Sequence, residues 1–148
     1  MNKKKIMFTS TALFIIFLDQ SSKYFIRSKL HLNQSIPLIQ NFLHFTYITN
    51  TGSAFGLFKG LNLAFILISI AVIIFILYFL RTINNNKTLW IFPTGLLLGG
   101  TTGNLIDRLF YGAVTDFIDF RIWPVFNIAD SAISVSIMIL IFMTLIKK

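Results

Sequence analysis

Between Leu61 and Leu80 the chain runs for twenty residues without one charged side chain. As a helix, that run is long enough to cross the roughly 30 Å hydrocarbon core of a bilayer. Three further stretches approach the same standard, at about residues 6–26, 89–106 and 128–146. Hydrophobic residues make up 55% of the 148-residue chain and charged residues 12%, against about 25% charged in an average soluble domain. A soluble chain of this length has too little interior to hide so much apolar surface. The expectation is a single integral membrane domain over residues 1–148, with outer loops at about 27–60 and 107–127.

The net charge of +8 does not point to nucleic acid. The basic residues form no patch; they stand at the ends of the apolar runs, as do Lys3–Lys5, Arg81, Lys87, Lys147 and Lys148, where they anchor helices at the phosphate level. The first run has the basic start of a signal peptide but no small-residue cleavage site, and Asp19 to Lys23 is a poor exit from one. It reads as a retained helix. The Lys3–Lys5 cluster puts both termini in the cytoplasm, with seven Lys and Arg residues inside and six outside. In that topology all five acids, Asp19, Asp107, Asp116, Asp119 and Asp130, fall at the outer membrane–water boundary. The first outer loop carries a strand-like alternation over Asn41–Asn50, with Phe42, His44, Thr46 and Ile48 on one side and Leu43, Phe45 and Tyr47 on the other. The fold class is therefore an all-α membrane protein, a four-transmembrane-helix bundle with a small β element in the outer loop.

The chain has no Cys and no Glu. Thiol chemistry is excluded, and carboxylate chemistry must come from the aspartates. Asp116 and Asp130 are the foremost candidates. Two carboxyls held close cannot both ionise cheaply, so the pair shares a proton, one member acting as base and the other polarising a carbonyl. Asp130 also suits a capping box with Asn127 at the start of the fourth helix, and the two roles are compatible. Gly95, Gly99 and Gly103 recur every four residues, a smooth ridge for a close helix neighbour. Asp107 is the next step on that ridge and faces the interior, either paired with Arg108 or orienting the site. Asp19 and Lys23, four apart, form a helix-face ion pair or border the site. Asn50 and Gly52 sit in a polar turn in which Asn50 can donate to a substrate carbonyl. Asp119 reads as structural. A metal would need several oxygens from Asp107, Asp116, Asp119 and Asp130; no metal and no cofactor is assigned.

Five motifs stand in order. They are Asp19-Gln20-x-x-Lys23, Asn50-x-Gly52-x-Ala54-Phe55, Gly99-Gly100-x-x-Gly103-Asn104-x-x-Asp107-Arg108, Val114-x-Asp116-Phe117 and Phe126-Asn127-x-Ala129-Asp130. Together they span most of the chain, which thereby resembles bacterial lipoprotein signal peptidase, or signal peptidase II. Ser53 stands where that family often has Ala, and the Asp116–Asp130 interval is shorter than in many members. The resemblance implies an intramembrane aspartic endopeptidase of the bacterial inner membrane. It removes the signal peptide from prolipoproteins, cutting before a cysteine that already carries a diacylglyceryl group. The catalytic pair falls on Asp116 and Asp130. Asp19, Lys23, Asn50, Gly52, Gly103, Asn104, Asp107, Arg108 and Asn127 fall on supporting or substrate-contacting positions. The partners implied are the lipidated prolipoprotein, membrane lipids and the cyclic peptide inhibitor globomycin, with the enzyme a monomer. The outer β element and Phe55 are expected to close over the site. The alternative is a small proton- or ion-coupled transporter using the outer-face aspartates.

Overall fold

The computed structural model describes residues 3–52, 60–82 and 88–146. In chain order these form α1 (Lys3–Lys29), β1 (Ser35–Ile39), β2 (Leu43–Asn50), α2 (Asn62–Thr82), α3 (Ile91–Tyr111), β3 (Val114–Asp119) and α4 (Ile128–Ile146). The features read at Ser53, Ala54 and Phe55, at Lys87 and at Lys147 and Lys148 lie outside the described residues.

The third helix is the hub. It packs against α1, α2 and α4, and its glycines explain how. A Cβ at Gly95 would lie 2.9 Å from the Cβ of Thr11, and one at Gly99 would lie 2.8 Å from the backbone oxygen of Ala12. On the adjoining face, a Cβ at Gly100 would meet the Ala129 oxygen at 2.5 Å. The ridge of Gly95, Gly99 and Gly103 therefore seats α1, and Gly100 seats the first turn of α4. Without side chains at these points the backbones approach closely, which is how helices associate where no hydrophobic force separates protein from solvent.

Large apolar side chains face outward instead of inward, among them Leu13, Phe14 and Phe17 on α1, Leu63 and Phe75 on α2, and Phe142 and Leu145 on α4. Contiguous apolar surface of this kind needs an apolar surrounding. Segments Asn62–Arg81 and Ile128–Ile146 are long and apolar enough to cross a membrane by length and composition. Among the described residues, α1 and α3 fall short of that measure; one carries buried charges and the other glycines and threonines.

The β element is larger than the sequence suggested. β1, β2 and β3 form one antiparallel sheet in that order, so the second outer loop contributes its own strand. Helix α3 also runs five residues beyond residue 106, which puts Asp107 and Arg108 on the helix. Gly112, at φ 73°, ends it in the left-handed conformation that favours glycine, and β3 begins two residues later. The alternation expected over Asn41–Asn50 is interrupted in β2 by a register shift between Phe45 and Ile48. Phe45 and Tyr47 pack on Ile26, Leu30 and Phe117, while Thr46 donates to Asp119 Oδ2 at 2.6 Å. The chain returns after β3 through an antiparallel bridge between Ile118 and Phe126, and so brings the start of α4 alongside β3.

Candidate active site

The site is assembled around Asn127, which is fully buried where the chain enters α4. Its Oδ1 accepts the Asp130 backbone N–H at 2.8 Å, and its own N–H donates to Asp130 Oδ2 at 3.3 Å. This is the reciprocal capping box expected for a helix start. The same Asn127 side chain donates through Nδ2 to Asp116 Oδ1 at 2.6 Å. One asparagine thus joins the carboxyl on β3 to the carboxyl on α4.

Asp116 is 1% exposed. Burial, with the Asp130 carboxylate beside it, pushes its carboxyl up to about 7, against donation from Asn50 and Asn127. Desolvation disfavours the charged form, and a like charge nearby disfavours it further. Asn50 donates to Asp116 Oδ2 at 3.1 Å, and its own Oδ1 is occupied by the Gly52 N–H at 2.9 Å. The turn at Gly52 thereby fixes which end of the Asn50 amide faces the acid.

Behind the pair lies a charged cluster shut off from solvent. Asp19, Lys23 and Asp107 are each 0% exposed. Lys23 Nζ lies 2.8 Å from Asp19 and 3.3 Å from Asp107 and donates to Asn104 Oδ1 at 3.0 Å. Asn104 Nδ2 in turn donates to Asp130 Oδ1 at 2.8 Å. Asp107 accepts the Thr115 backbone N–H at 2.8 Å, which holds β3 next to Asp116. Asp19 accepts the Ala129 backbone N–H at 3.0 Å, which holds α4 next to Asp130. A side chain at Gly103 would collide with Asp19 Oδ2, 2.5 Å away from where its Cβ would sit.

Arg108 does not pair with Asp107, the first option weighed for it. Asp107 takes Lys23 and Arg27, because α1 lies against the glycine face of α3 whereas Arg108 projects to the other side. There Arg108 donates to the Gly52 oxygen at 3.4 Å and lies over the Phe65 ring. Its charge acts on both Asp130 and Asp116, and its Nε is buried without a partner among the described residues. A cavity of about 730 Å³ opens in front of the pair. Asn50, Asn104, Arg108, Asp116 and Asp130 line its polar end; the cavity as a whole is mostly apolar, with Phe65, Trp123, Pro124, Phe126, Ile133 and Val135 in its walls. Concave, largely apolar space with a few converging polar groups is the usual form of a ligand site.

Of the eleven sequence candidates, Asp116, Asp130, Asn50, Gly52, Asn104 and Arg108 reach the cavity. Asp19, Lys23, Gly103, Asp107 and Asn127 stand behind it. Asp119 belongs elsewhere, bound to Thr46 and Arg121, so a four-aspartate metal cage has no geometric basis. Three contributors, Arg27, Gln20 and Thr115, were given no role in the sequence, though Gln20 stands in the first motif. Arg27 bridges Asp107 and the Thr115 hydroxyl, and Gln20 donates to Asp19, to the Gly103 oxygen and to Asp107. Arg27 had a signal: it lies four residues beyond Lys23, on the same helix face. Thr115 had none beyond its place beside Asp116.

Comparison with known proteins gives one answer. A family model described as signal peptidase (SPase) II matches residues 11–146. The lipoprotein signal peptidase of Halothermothrix orenii is 44% identical over 130 residues, covering 87% of this chain and 88% of that protein. That of Moorella thermoacetica is 45% identical over 133 residues, covering 90% and 89%. A solved structure described as a bacterial membrane enzyme superimposes with a TM-score of 0.87 at 34% identity, covering 91% of this chain and 85% of that one. With buried Asp116 and half-buried Asp130 facing a mostly apolar cavity, and relatives of this kind along nearly its whole length, the chain belongs to the signal peptidase II family: it is a bacterial membrane enzyme, an aspartic peptidase with lipoprotein signal peptidase activity.

Proposed function

We propose that Asp116 and Asp130 are the catalytic pair and that they act on a prolipoprotein whose cysteine already carries a diacylglyceryl group. The observation that carries this reading is the position of Asn127, bonded to both carboxyls at once. In the reaction, water attacks the scissile carbonyl carbon and gives a proton to Asp130. Asp116, held protonated by burial, gives its proton to the carbonyl oxygen. As the resulting diol collapses and the C–N bond breaks, Asp130 passes its proton to the departing cysteine amine and Asp116 takes one back from a diol hydroxyl. Asn50 and Arg108 line the same cavity and are suited to hold the substrate backbone.

All four helices span the bilayer in this reading, α1 and α3 hiding their polar residues against each other. Both termini are cytoplasmic and the sheet lies at the outer face of the inner membrane. The outward-facing apolar side chains of α1, α2 and α4 support it. The cavity is mostly apolar, with Phe65 of α2, Trp123, and Ile133 and Val135 of α4 in its walls, which suits acyl chains and the end of a signal helix arriving sideways through lipid. A cyclic lipopeptide such as globomycin fits the same space. Both acids and all their donors come from one chain, so a monomer suffices.

The test uses one prolipoprotein in lipidated and unlipidated form, with purified enzyme in detergent. Cleavage of the lipidated form alone, blocked by globomycin, is expected; equal cleavage of both removes the lipid requirement. Topology is checked separately. The chain has no cysteine, so an Ile39→Cys variant labels with a membrane-impermeant maleimide from outside if the sheet is external, and stays protected if the orientation is reversed.

A further inference from the structure

The cluster around Lys23 has a feature that charge neutralisation does not require. An amide side chain can present either its oxygen or its nitrogen to a neighbour, and only the nitrogen end of Asn104 can donate to Asp130. An ammonium group carries donors and no acceptor. With Lys23 Nζ 3.0 Å from Asn104 Oδ1, the oxygen must face Lys23, and the NH2 group is turned onto Asp130 Oδ1. A second donor to Asn104 Oδ1, Asn127 Nδ2, lies at 3.2 Å. Its two hydrogens are divided among three acceptors, of which Asp116 Oδ1 at 2.6 Å is nearest. Its hold on Asn104 is correspondingly weak.

We propose that Lys23 is a positioning residue for the peptidase reaction: acting through Asn104, it fixes the carboxyl of Asp130 in its working orientation. This rests on the reading of Asp116 and Asp130 as the catalytic pair. The neighbouring contact reinforces it. Asp19, one turn before Lys23, takes the backbone N–H of Ala129. One face of α1 therefore holds the residue before Asp130 by its backbone and Asp130 itself by its carboxyl, through Asn104. The ammonium is also the counter-charge that lets Asp19 and Asp107 remain in a site from which water is shut out.

The test is steady-state cleavage of a diacylglyceryl-modified prolipoprotein by the purified full chain in detergent. The variants are Lys23→Met, Asn104→Ala and the two combined. A loosened carboxyl lowers kcat by roughly 10- to 100-fold while KM stays within about twofold, because the loss falls on the chemical step and not on binding. Both changes cut the same link, so the combined variant is no slower than the slower single variant. A merely structural lysine gives a different result: less folded enzyme but an unchanged kcat per folded molecule. Where Lys23→Met does not fold, Lys23→Met/Asp19→Asn, which removes the orphaned charge on α1, is compared with Asp19→Asn alone and shows the same loss of kcat. A folded Lys23 variant with normal kcat, or losses that multiply in the combined variant, overturns the proposal. Failure of the underlying pair is seen separately, as cleavage by Asp116→Asn or Asp130→Asn.

Discussion

Asp116→Asn should alter the pH dependence of stability as well as activity. In the folded chain the Asp116 carboxyl is pushed from 3.8 up to about 7, first by burial and then by the Asp130 charge. Folding therefore raises its proton affinity. Below about pH 4 the group is protonated whether folded or not, and its contribution to stability is complete. Between about pH 4 and about pH 7 the unfolded chain has lost the proton and the folded chain keeps it, so stability falls as pH rises. Above about pH 7 the loss is finished. At about 1.4 kcal/mol per pKa unit the window amounts to about 4 kcal/mol. Asparagine cannot titrate, so the stability of the variant relative to wild type should rise by about that amount across the window, whatever fixed offset the substitution brings. Chemical unfolding in detergent at about pH 4 and about pH 8 measures it. A difference between the two proteins that does not change with pH would refute the assignment of this proton to Asp116.

The same proton shapes the rate. Cleavage should decline as pH rises through about 7, when Asp116 can no longer supply its proton, and a rate that stays level to about pH 9 contradicts that role. Gly100→Leu should displace the first turn of α4, because a Cβ there falls 2.5 Å from the Ala129 oxygen; the expected cost is about 1–3 kcal/mol with activity lost beyond the fraction unfolded, read by thermal unfolding alongside cleavage. Asp107→Asn leaves Lys23 and Arg27 short of a counter-charge in a buried setting and should destabilise by about 3–5 kcal/mol. A neutral effect on unfolding would mean that β3 is held by other contacts.

The helices were legible because a twenty-residue uncharged run such as Leu61–Leu80 has one physical explanation. The roles of the acids were less so. Asp130 was visible as both helix cap and candidate acid; Asn127 meets its carboxyl through the backbone N–H and meets Asp116 through the side chain. The inward direction of Asp107 followed from the glycine ridge, but its partners did not. They depend on α1 docking against that ridge, a contact about eighty residues away in sequence. β3 was missed because Val114–Asp119 interleaves two aspartates with its β-branched and aromatic residues, so the strand signal was read as loop. Its pairing with β2 is long-range and leaves no local pattern. Arg27 was given no role in the sequence beyond a place in the charge count, and its bonds to Asp107 and Thr115 tie it to the site.

The central claim is that Asp116 and Asp130 perform the cleavage together. It is tested most directly by incubating a purified diacylglyceryl-modified prolipoprotein with wild type, Asp116→Asn and Asp130→Asn in detergent, each variant first shown to be folded. Release of the signal peptide by wild type alone is the predicted result; release by either variant at the wild-type rate would contradict it and place the chemistry on other residues.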